Sequence, residues 1–310
     1  MPPTVSVVIP VFNEEQILPI LYQRLSEVLG AYGEAYEIVF VNDGSRDGSL
    51  ASLKRLHTDD SHVKVVSLSR NFGHQTAITC GLDQATGAAV IVMDADLQDP
   101  PEVLPQLLDK WREGYDVVYA VRDKREGESA FKLGTAAVFY RLLRAMTQVD
   151  IPLDTGDFRL MSRRAVDALQ SARERSRFVR GLVSWVGYRQ TGVTYTRKER
   201  MAGETKYPLR KMLKFALDGL TAFSFAPLQV ATYLGVSISV LSFLYAVYAI
   251  ILRLFTTQTV PGWTSLMVAV LFLGGVQLVA LGIIGEYLGR VYEEVKQRPL
   301  YLLDERIGFD

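Results

Sequence analysis

Short apolar runs alternate with stretches of helical period over the first 120 residues, and beyond residue 227 the chain is apolar almost throughout. Residues 5–9, 37–41, 63–68, 88–93 and 117–121 are rich in β-branched side chains and bounded by turn formers, so they read as strands. Between them, residues 14–29, 48–57, 74–85 and 101–112 repeat apolar positions at helical spacing. This βαβα order predicts an α/β domain, a mostly parallel sheet with helices on both faces. Ligands of such sheets bind beyond the C-terminal ends of the strands, and polar motifs fall there. Pro10-Val11-Phe12-Asn13-Glu14 follows the first run, Asn42-Asp43-Gly44-Ser45 the second, Ser69-Arg70-Asn71-Phe72-Gly73 the third, and Asp94-Ala95-Asp96-Leu97-Gln98 the fourth. Each also has a plain local reading. Asn13 suits a helix N-cap, with Glu14 and Glu15 in the first turn, and residues 42–45 suit a turn into a capped helix. A carboxylate at a strand tip such as Asp43 can equally accept from a base N–H or a ribose hydroxyl.

The apolar C-terminal third changes the picture from a soluble enzyme-like domain to a membrane protein. Residues 228–252 form 25 positions without a charge, and residues 254–285 form 32 more, separated only by Arg253. A helix crosses the hydrocarbon core with about 20 apolar residues, so a two-helix transmembrane hairpin is predicted at about 228–252 and 263–285. Lys and Arg flank the hairpin on both outer sides, at Arg197, Lys198, Arg200, Lys206, Arg210, Lys211 and Lys214 before it and at Arg290, Lys296 and Arg298 after it. The positive-inside bias therefore predicts both ends in the cytoplasm. Trp263, Tyr233 and Tyr287 occupy positions suited to interfacial aromatics. Residues 207–225 carry apolar side chains at helical spacing with basic residues between them, which suits a helix lying in the membrane interface or an amphipathic helix packed on the soluble domain. Residues 131–146 have a similar pattern. The predicted organisation is thus a cytoplasmic α/β domain at 1–206, an interface helix at 207–226, the hairpin at 227–289 and a cytoplasmic tail at 290–310.

Charge is sorted along the chain although its net value is +0. Residues 1–120 carry 8 Lys/Arg against 17 Asp/Glu, and residues 121–214 carry 21 against 10. A basic middle suits an anionic partner, a phosphate or an anionic membrane surface, and no zinc-finger, RRM or helix-turn-helix signature supports a nucleic acid. The single cysteine, Cys80, excludes an internal disulfide and sits in a run that reads as a buried helical face. Three histidines make a His-rich metal site implausible. Neither GxGxxG nor GxxxxGK[ST] occurs, so no dinucleotide or P-loop motif is present.

Asp94 and Asp96 end an apolar run at i and i+2, positions that face one side if the strand continues. Two hard oxygen ligands, with Gln98 as a third, suit Mg²⁺ or Mn²⁺ shared with substrate phosphates. A solvated turn before Pro100-Pro101 is the alternative.

Taken in order, Val8-Ile9-Pro10-Val11-Phe12-Asn13-Glu14-Glu15, Val41-Asn42-Asp43-Gly44-Ser45, Arg70-Asn71-Phe72-Gly73, Asp94-Ala95-Asp96-Leu97-Gln98-Asp99-Pro100-Pro101, Gly156-Asp157-Phe158-Arg159-Leu160, the segment 200–207 and the hairpin cover nearly the whole chain. This ordered set resembles the family 2 glycosyltransferases that act on polyprenyl phosphates, the bacterial GtrB type and the dolichol-phosphate mannose synthases. The resemblance implies a GT-A fold, a Rossmann-like mixed sheet, and transfer of a hexose from a nucleotide sugar to a polyprenyl phosphate at the cytoplasmic face of the membrane. UDP-glucose and undecaprenyl phosphate are the implied substrates; GDP-mannose, UDP-galactose, UDP-GlcNAc or a UDP-aminoarabinose donor are alternatives. It further implies that Pro10, Asn13, Glu14, Asp43, Ser45, Arg70 and Asp94 bind the donor, with Asp43 reading the uracil. Asp94, Asp96 and Gln98 would set Mg²⁺ or Mn²⁺ and the diphosphate. The Gln-x-x-Arg-Trp motif of processive relatives is absent, which favours a single transfer over polymerisation.

The chemistry adds two further expectations. A lipid phosphate monoester, with a second pKa of about 6, is largely dianionic at neutral pH and needs cations to approach an anionic donor. Arg122, Arg125, Lys132, Arg200 and Lys206 are the candidates for that work, whereas Arg173, Arg175 and Arg177 read as solvated or lipid-facing surface. Asp157 is the candidate base or acceptor-orienting carboxylate, with Asp96 beside it in the catalytic set; the alternative is an Asp that merely pairs with Arg159. A catalytically silent nucleotide-binding scaffold and a small transporter are the competing functions, and two spans with only Arg253 ionisable offer a transporter no polar pathway.

Overall fold

Eight stretches of the N-terminal and C-terminal sequence join one mixed sheet. The computed structural model describes residues 3–122, 155–175, 177–196, 226–255 and 262–309. Strands β1 (Val5–Val11), β2 (Tyr36–Asn42), β3 (Val63–Leu68) and β4 (Ala89–Val92) alternate with helices α1 (Leu18–Tyr32), α2 (Ser49–Asp59) and α3 (His74–Gln84). After a 3-10 turn at Pro101–Val103 come α4 (Leu104–Arg112), β5 (Val117–Arg122), β6 (Thr155–Ser162), α5 (Arg163–Ser171), α6 (Val179–Trp185) and β7 (Gln190–Tyr195). Helices α7 (Ala226–Phe255) and α8 (Trp263–Val295) follow, and β8 (Leu303–Ile307) returns to the sheet. The order is β7-β5-β6-β4-β1-β2-β3-β8. Strands β1 to β4 pair in parallel, β6 runs antiparallel between β4 and β5, and β8 closes the far edge antiparallel to β3.

Because side chains alternate across a strand, the central strands feed two apolar layers. Val7, Ile9, Ile38 and Phe40 pack with Leu18, Leu21 and Leu25 of α1 on one face. Val8, Val39 and Val41 pack with Ala77, Ile78 and Cys80 of α3 on the other. Cys80 is wholly buried there, and burial pushes its thiol up to about 12, so it acts as packing.

Several boundaries differ from the sequence expectation, each for a local reason. Helix α1 starts at Leu18, with a proline in its first turn, so Glu14 and Glu15 lie in the preceding loop and Asn13 is not its N-cap. Strand β4 stops at Val92, before Asp94. Residues 101–103 are a 3-10 turn, not the start of α4. Helix α8 runs on past the apolar stretch to Val295 through Glu286, Arg290, Glu293 and Glu294. The terminal segment is no free tail, since Val65 and Val66 pair with Ile307 and Arg306. The two helices are long and apolar enough to cross a membrane, over Pro227–Ile251 and Ser265–Val295, and they lie against each other. Residues 207–225 and 131–146, expected as amphipathic helices, lie outside the described residues.

One buried ion pair ties three strands together. Glu37, almost fully buried, accepts from Ser6 Oγ at 2.5 Å and from the Thr86 N–H at 2.7 Å, and Lys64 Nζ lies 2.6 Å away. Burial alone would raise its carboxyl; Lys64, Ser6 and Thr86 outweigh it and hold the pKa below the ordinary value. Replacing Glu37 by Gln should therefore lower stability by about 2 kcal/mol near neutral pH, discounted because Lys64 is partly exposed. A carboxyl with a lowered folded-state pKa contributes stability above its unfolded value and loses it as pH falls through the folded one. Thermal unfolding in detergent should show the two proteins converging as the pH drops below about 4.

Candidate active site

Four loops at the C-terminal ends of β1 to β4 are bonded to one another before any ligand is considered. Asn13 takes the left-handed conformation, with φ of 58°. Its N–H donates to Ser45 Oγ at 3.1 Å, and its Oδ1 accepts the Arg46 N–H at 2.8 Å. The Glu14 N–H donates to Ser49 Oγ at 2.9 Å, and Glu15 accepts the Gly48 N–H. Pro10 is buried within β1, opposite Val41. Asp43 is buried, and its two carboxylate oxygens accept the N–H groups of Phe72 and Gly73 at 2.7 and 3.0 Å. Burial raises the Asp43 pKa against the pull of those two amides. Its visible work is thus to hold the 70–73 loop, with reading of a base an additional expectation. Arg70 lies over the Phe72 ring at 4.0 Å.

These loops wall a cavity of about 480 Å³, lined by Asn13, Ser45, Arg46, Ser67, Arg70 and Asn71. Asp304 of β8 lines it too, so the segment that follows α8 completes a wall of the pocket. Gly44 is required at its floor. Its φ is 65°, and a Cβ there would lie 2.4 Å from the Arg70 carbonyl carbon and 2.5 Å from the Asn71 nitrogen, both backbone atoms.

The carboxylates lie at a neighbouring point of the rim. Because β4 ends at Val92, the pleat does not align Asp94 with Asp96; a tight turn does, in which Leu97 has φ of 57° and the Asp96 Oδ1 accepts the Gln98 N–H at 3.1 Å. Asp94 keeps 30% of its side chain exposed, yet its Oδ1 is buried and has no hydrogen-bond partner. Burial pushes its carboxyl up to about 7 against the pull of His74, with Asp99, Asp157 and Asp96 adding to the rise.

Asp157 reaches the same point from β6. Val92 pairs with Arg159, so two further steps along the antiparallel register carry Asp157 opposite Asp94. The Asp157 carboxylate is 4% exposed and fully engaged. Arg180 grips it with Nε to Oδ1 at 2.9 Å and Nη2 to Oδ2 at 3.1 Å. His74 Nε2 lies 3.1 Å from its Oδ2, Gln75 Nε2 donates at 3.3 Å, and Arg159 Nη2 is 3.7 Å from Oδ1. Burial would raise its pKa, but His74, Arg180 and Arg159 hold it well below the carboxylate range. A carboxylate so held is a weak proton acceptor, and of the two roles expected for Asp157 the geometry favours orienting over abstracting.

His74 opens α3 and bridges the carboxylates, 3.5 Å from Asp94 Oδ1 as well as close to Asp157. Desolvation lowers its pKa, but Asp157 and Asp94 more than offset this and raise it. Sequence reasoning missed both His74 and Arg180. A histidine directly after the Arg70-Asn71-Phe72-Gly73 rim motif was a usable signal; nothing in the sequence singles Arg180 out of the basic run before it. Of that run, Arg173 is exposed as expected but pairs with Asp83 at 2.7 Å, and Arg177 is half-buried with Nη2 on the Leu169 carbonyl. Arg122 stands at the end of β5 opposite Tyr195. Arg125, Lys132, Arg200 and Lys206 lie outside the described residues.

The residues fit a divalent cation. Asp94 offers a buried, unpartnered oxygen, and Asp96 lies close enough to raise its pKa. Among the described residues no group of three or more His, Cys, Asp and Glu is arranged to hold a metal alone. Two carboxylates sharing the ion with substrate phosphates is the arrangement that Mg²⁺ and Mn²⁺ commonly accept.

A cavity of about 480 Å³ beside a carboxylate cluster on the rim of a mixed α/β sheet is the arrangement expected of a nucleotide-dependent transferase. Residues 6–170 match glycosyl transferase family 2, and residues 226–291 match the GtrB C-terminal hairpin. The chain belongs to glycosyl transferase family 2, with the GT-A type of sheet and a GtrB-type hairpin. It is 54% identical to the uncharacterized glycosyltransferase YkcC of Bacillus subtilis (strain 168), over 98% of this chain and 94% of that one. It is 44% identical to the bactoprenol glucosyl transferase of Shigella phage SfX, over 97% of this chain and 99% of that one. Among solved structures, glucosyl-3-phosphoglycerate synthase from Mycobacterium tuberculosis, in complex with Mn²⁺, UDP-glucose and phosphoglyceric acid, is 21% identical with a TM-score of 0.48, over 71% of this chain and 79% of that one.

Gly44→Ala should weaken binding of the nucleotide that the sequence resemblance implies, UDP, by about tenfold or more, because the new methyl meets backbone that cannot rotate away. Calorimetric titration of the full chain with UDP in detergent checks this, with Gly30→Ala, where a Cβ meets nothing within 4 Å, as the control.

Proposed function

We propose that this glycosyltransferase moves a hexose, glucose from UDP-glucose first among the donors, onto a polyprenyl phosphate such as undecaprenyl phosphate, with inversion and at the cytoplasmic face of the membrane. The observation that carries the reading is the joint presence of a family 2 domain and a GtrB-type hairpin in one chain. Identity of 44% to bactoprenol glucosyl transferases over nearly the full length supports a polyprenyl acceptor and glucose. Lys and Arg outside both ends of the hairpin support the cytoplasmic orientation.

The donor would occupy the pocket lined by Asn13, Ser45 and Arg70, with Pro10, Glu14 and Asp43 in the strand ends and loops around it and its diphosphate toward Asp94 and Asp96. A bound Mg²⁺ or Mn²⁺, held by Asp94, Asp96 and Gln98, would offset charge on the departing diphosphate. The acceptor phosphate is already a dianion, so no strong base is required. Asp157, gripped by Arg180 and His74, fixes the imidazole and the guanidinium at the rim; those two cations then face the incoming phosphate, and Arg122 with the basic residues 125, 132, 200 and 206 would extend the positive path.

The deciding experiment incubates the purified full chain with UDP- and GDP-sugars, undecaprenyl phosphate and either metal, followed by mass analysis of the lipid. A hexosyl-phosphate lipid from UDP-glucose is the expected product; no product from any donor would sink the reading. Asp94→Ala and Asp96→Ala should each reduce turnover by about 100-fold or more with the fold retained by circular dichroism. Near-normal turnover by both would remove the metal site. Asp157→Asn keeps the shape but loosens Arg180 and His74. It should lower kcat by about tenfold or more while the KM for the nucleotide sugar stays within about threefold.

A further inference from the structure

A second cavity, of about 490 Å³, opens where the end of α8 meets the catalytic domain, and none of its residues belongs to the donor site. Asp83 from α3, Arg173 and Arg175 from the loop after α5, and Glu294, Arg298 and Tyr301 from the α8–β8 connection line it. Its bonding is incomplete in a specific way. Asp83 Oδ2 takes both Arg173 at 2.7 Å and the Tyr301 hydroxyl at 2.8 Å, and Glu294 Oε1 accepts the Arg175 backbone N–H at 2.6 Å. The Arg175 Nη2 is buried without a hydrogen-bond partner, as are Nε and Nη1 of Arg177 on the same loop. The Asp83 Oδ1 is buried without a partner as well. Unmet guanidinium N–H groups are costly to bury and call for an anionic acceptor. The unmet carboxylate oxygen beside them calls for a donor.

We propose that this cavity binds a phosphate group that carries an adjacent hydrogen-bond donor: the phosphate on Arg175 and Arg298, backed by the charge of Arg177, and the donor on Asp83. The planar fork of arginine suits phosphate oxygens. A phosphoglycerol or phosphoethanolamine headgroup meets both demands, and so does inorganic phosphate through its own hydroxyl. Phosphocholine, whose nitrogen bears no hydrogen, does not. The location admits both sources. The uncharged stretch of α8 ends at Gly285, and Glu294 follows nine residues later, roughly 13 Å along a helix. With the tilt common to membrane helices, the cavity comes to the outer edge of the headgroup layer. The inference does not depend on the proposed transfer reaction.

Native mass spectrometry of the full chain in detergent, with phosphatidylglycerol, phosphatidylethanolamine or phosphatidylcholine added, tests it together with thermal unfolding in phosphate and in sulfate. Retention of either donor-bearing lipid over phosphatidylcholine assigns the site to a headgroup. Stabilisation by phosphate over sulfate without a lipid adduct assigns it to free phosphate. In either case Arg175→Gln and Arg298→Gln should weaken binding by about tenfold, while Arg24→Gln, whose side chain pairs with Glu102 elsewhere, should not. Arg298 is exposed, so its variant keeps the test sound if Arg175→Gln fails to fold. Equal retention of phosphatidylcholine, binding unchanged in both variants, or neither lipid nor phosphate bound would overturn the proposal.

Discussion

A carboxylate that has been removed from water must be given its charge back by neighbours, and Asp157 sets that demand at the centre of this protein. Buried in β6, it draws Arg180 from α6, His74 and Gln75 from α3 and Arg159 from its own strand. Those contacts tie the start of α3 and the docking of α6 to β6, so two helices are held to one charge. Removal of a single partner from such a buried group leaves the others uncompensated, which is why the cluster holds together as a unit. Its consequence for chemistry is that the imidazole and guanidinium stand preorganised at the rim beside Asp94.

The connection between membrane and catalytic sheet follows a similar economy of parts. Helix α8 leads within a few residues into β8, which pairs with β3 and presents Asp304 to the cavity at the strand ends. The same connection carries Tyr301, which bonds to Asp83 on α3. A segment that anchors the chain is therefore also a wall of the pocket, and the edge of β3 that would otherwise be open to pairing is covered.

The strands with β-branched residues, β1 to β5, were legible in the sequence because their apolar runs are short and bounded by turn formers, as were the two long apolar helices. The strands β6, β7 and β8 were not named as strands. Leu303–Ile307 carries three charged side chains in five residues and has no apolar period to betray it. Helix α1 was expected too early, because Glu14 and Glu15 look like a first turn, whereas they serve as bonding partners of the neighbouring loop. For the site, Asp43, Asp94, Asp96 and Asn13 stood out as polar residues at the ends of apolar runs. His74 and Arg180 did not, since their importance lies in what they touch.

The sequence by itself determined the elements whose stability is local or repetitive: the β-branched runs, the helical periods and the length of the apolar spans, each readable because hydrophobic burial repeats with the geometry of the backbone. It also determined which residue types stand at the strand ends. That Asp94, just beyond β4, and Asp157 of β6 share one point is settled only when the sheet assembles. That juxtaposition comes from an antiparallel register across 64 residues of intervening chain, between Val92 and Asp157. Pairing energies between distant segments leave no period in the sequence, so the charge network at the rim becomes visible only once the sheet is formed.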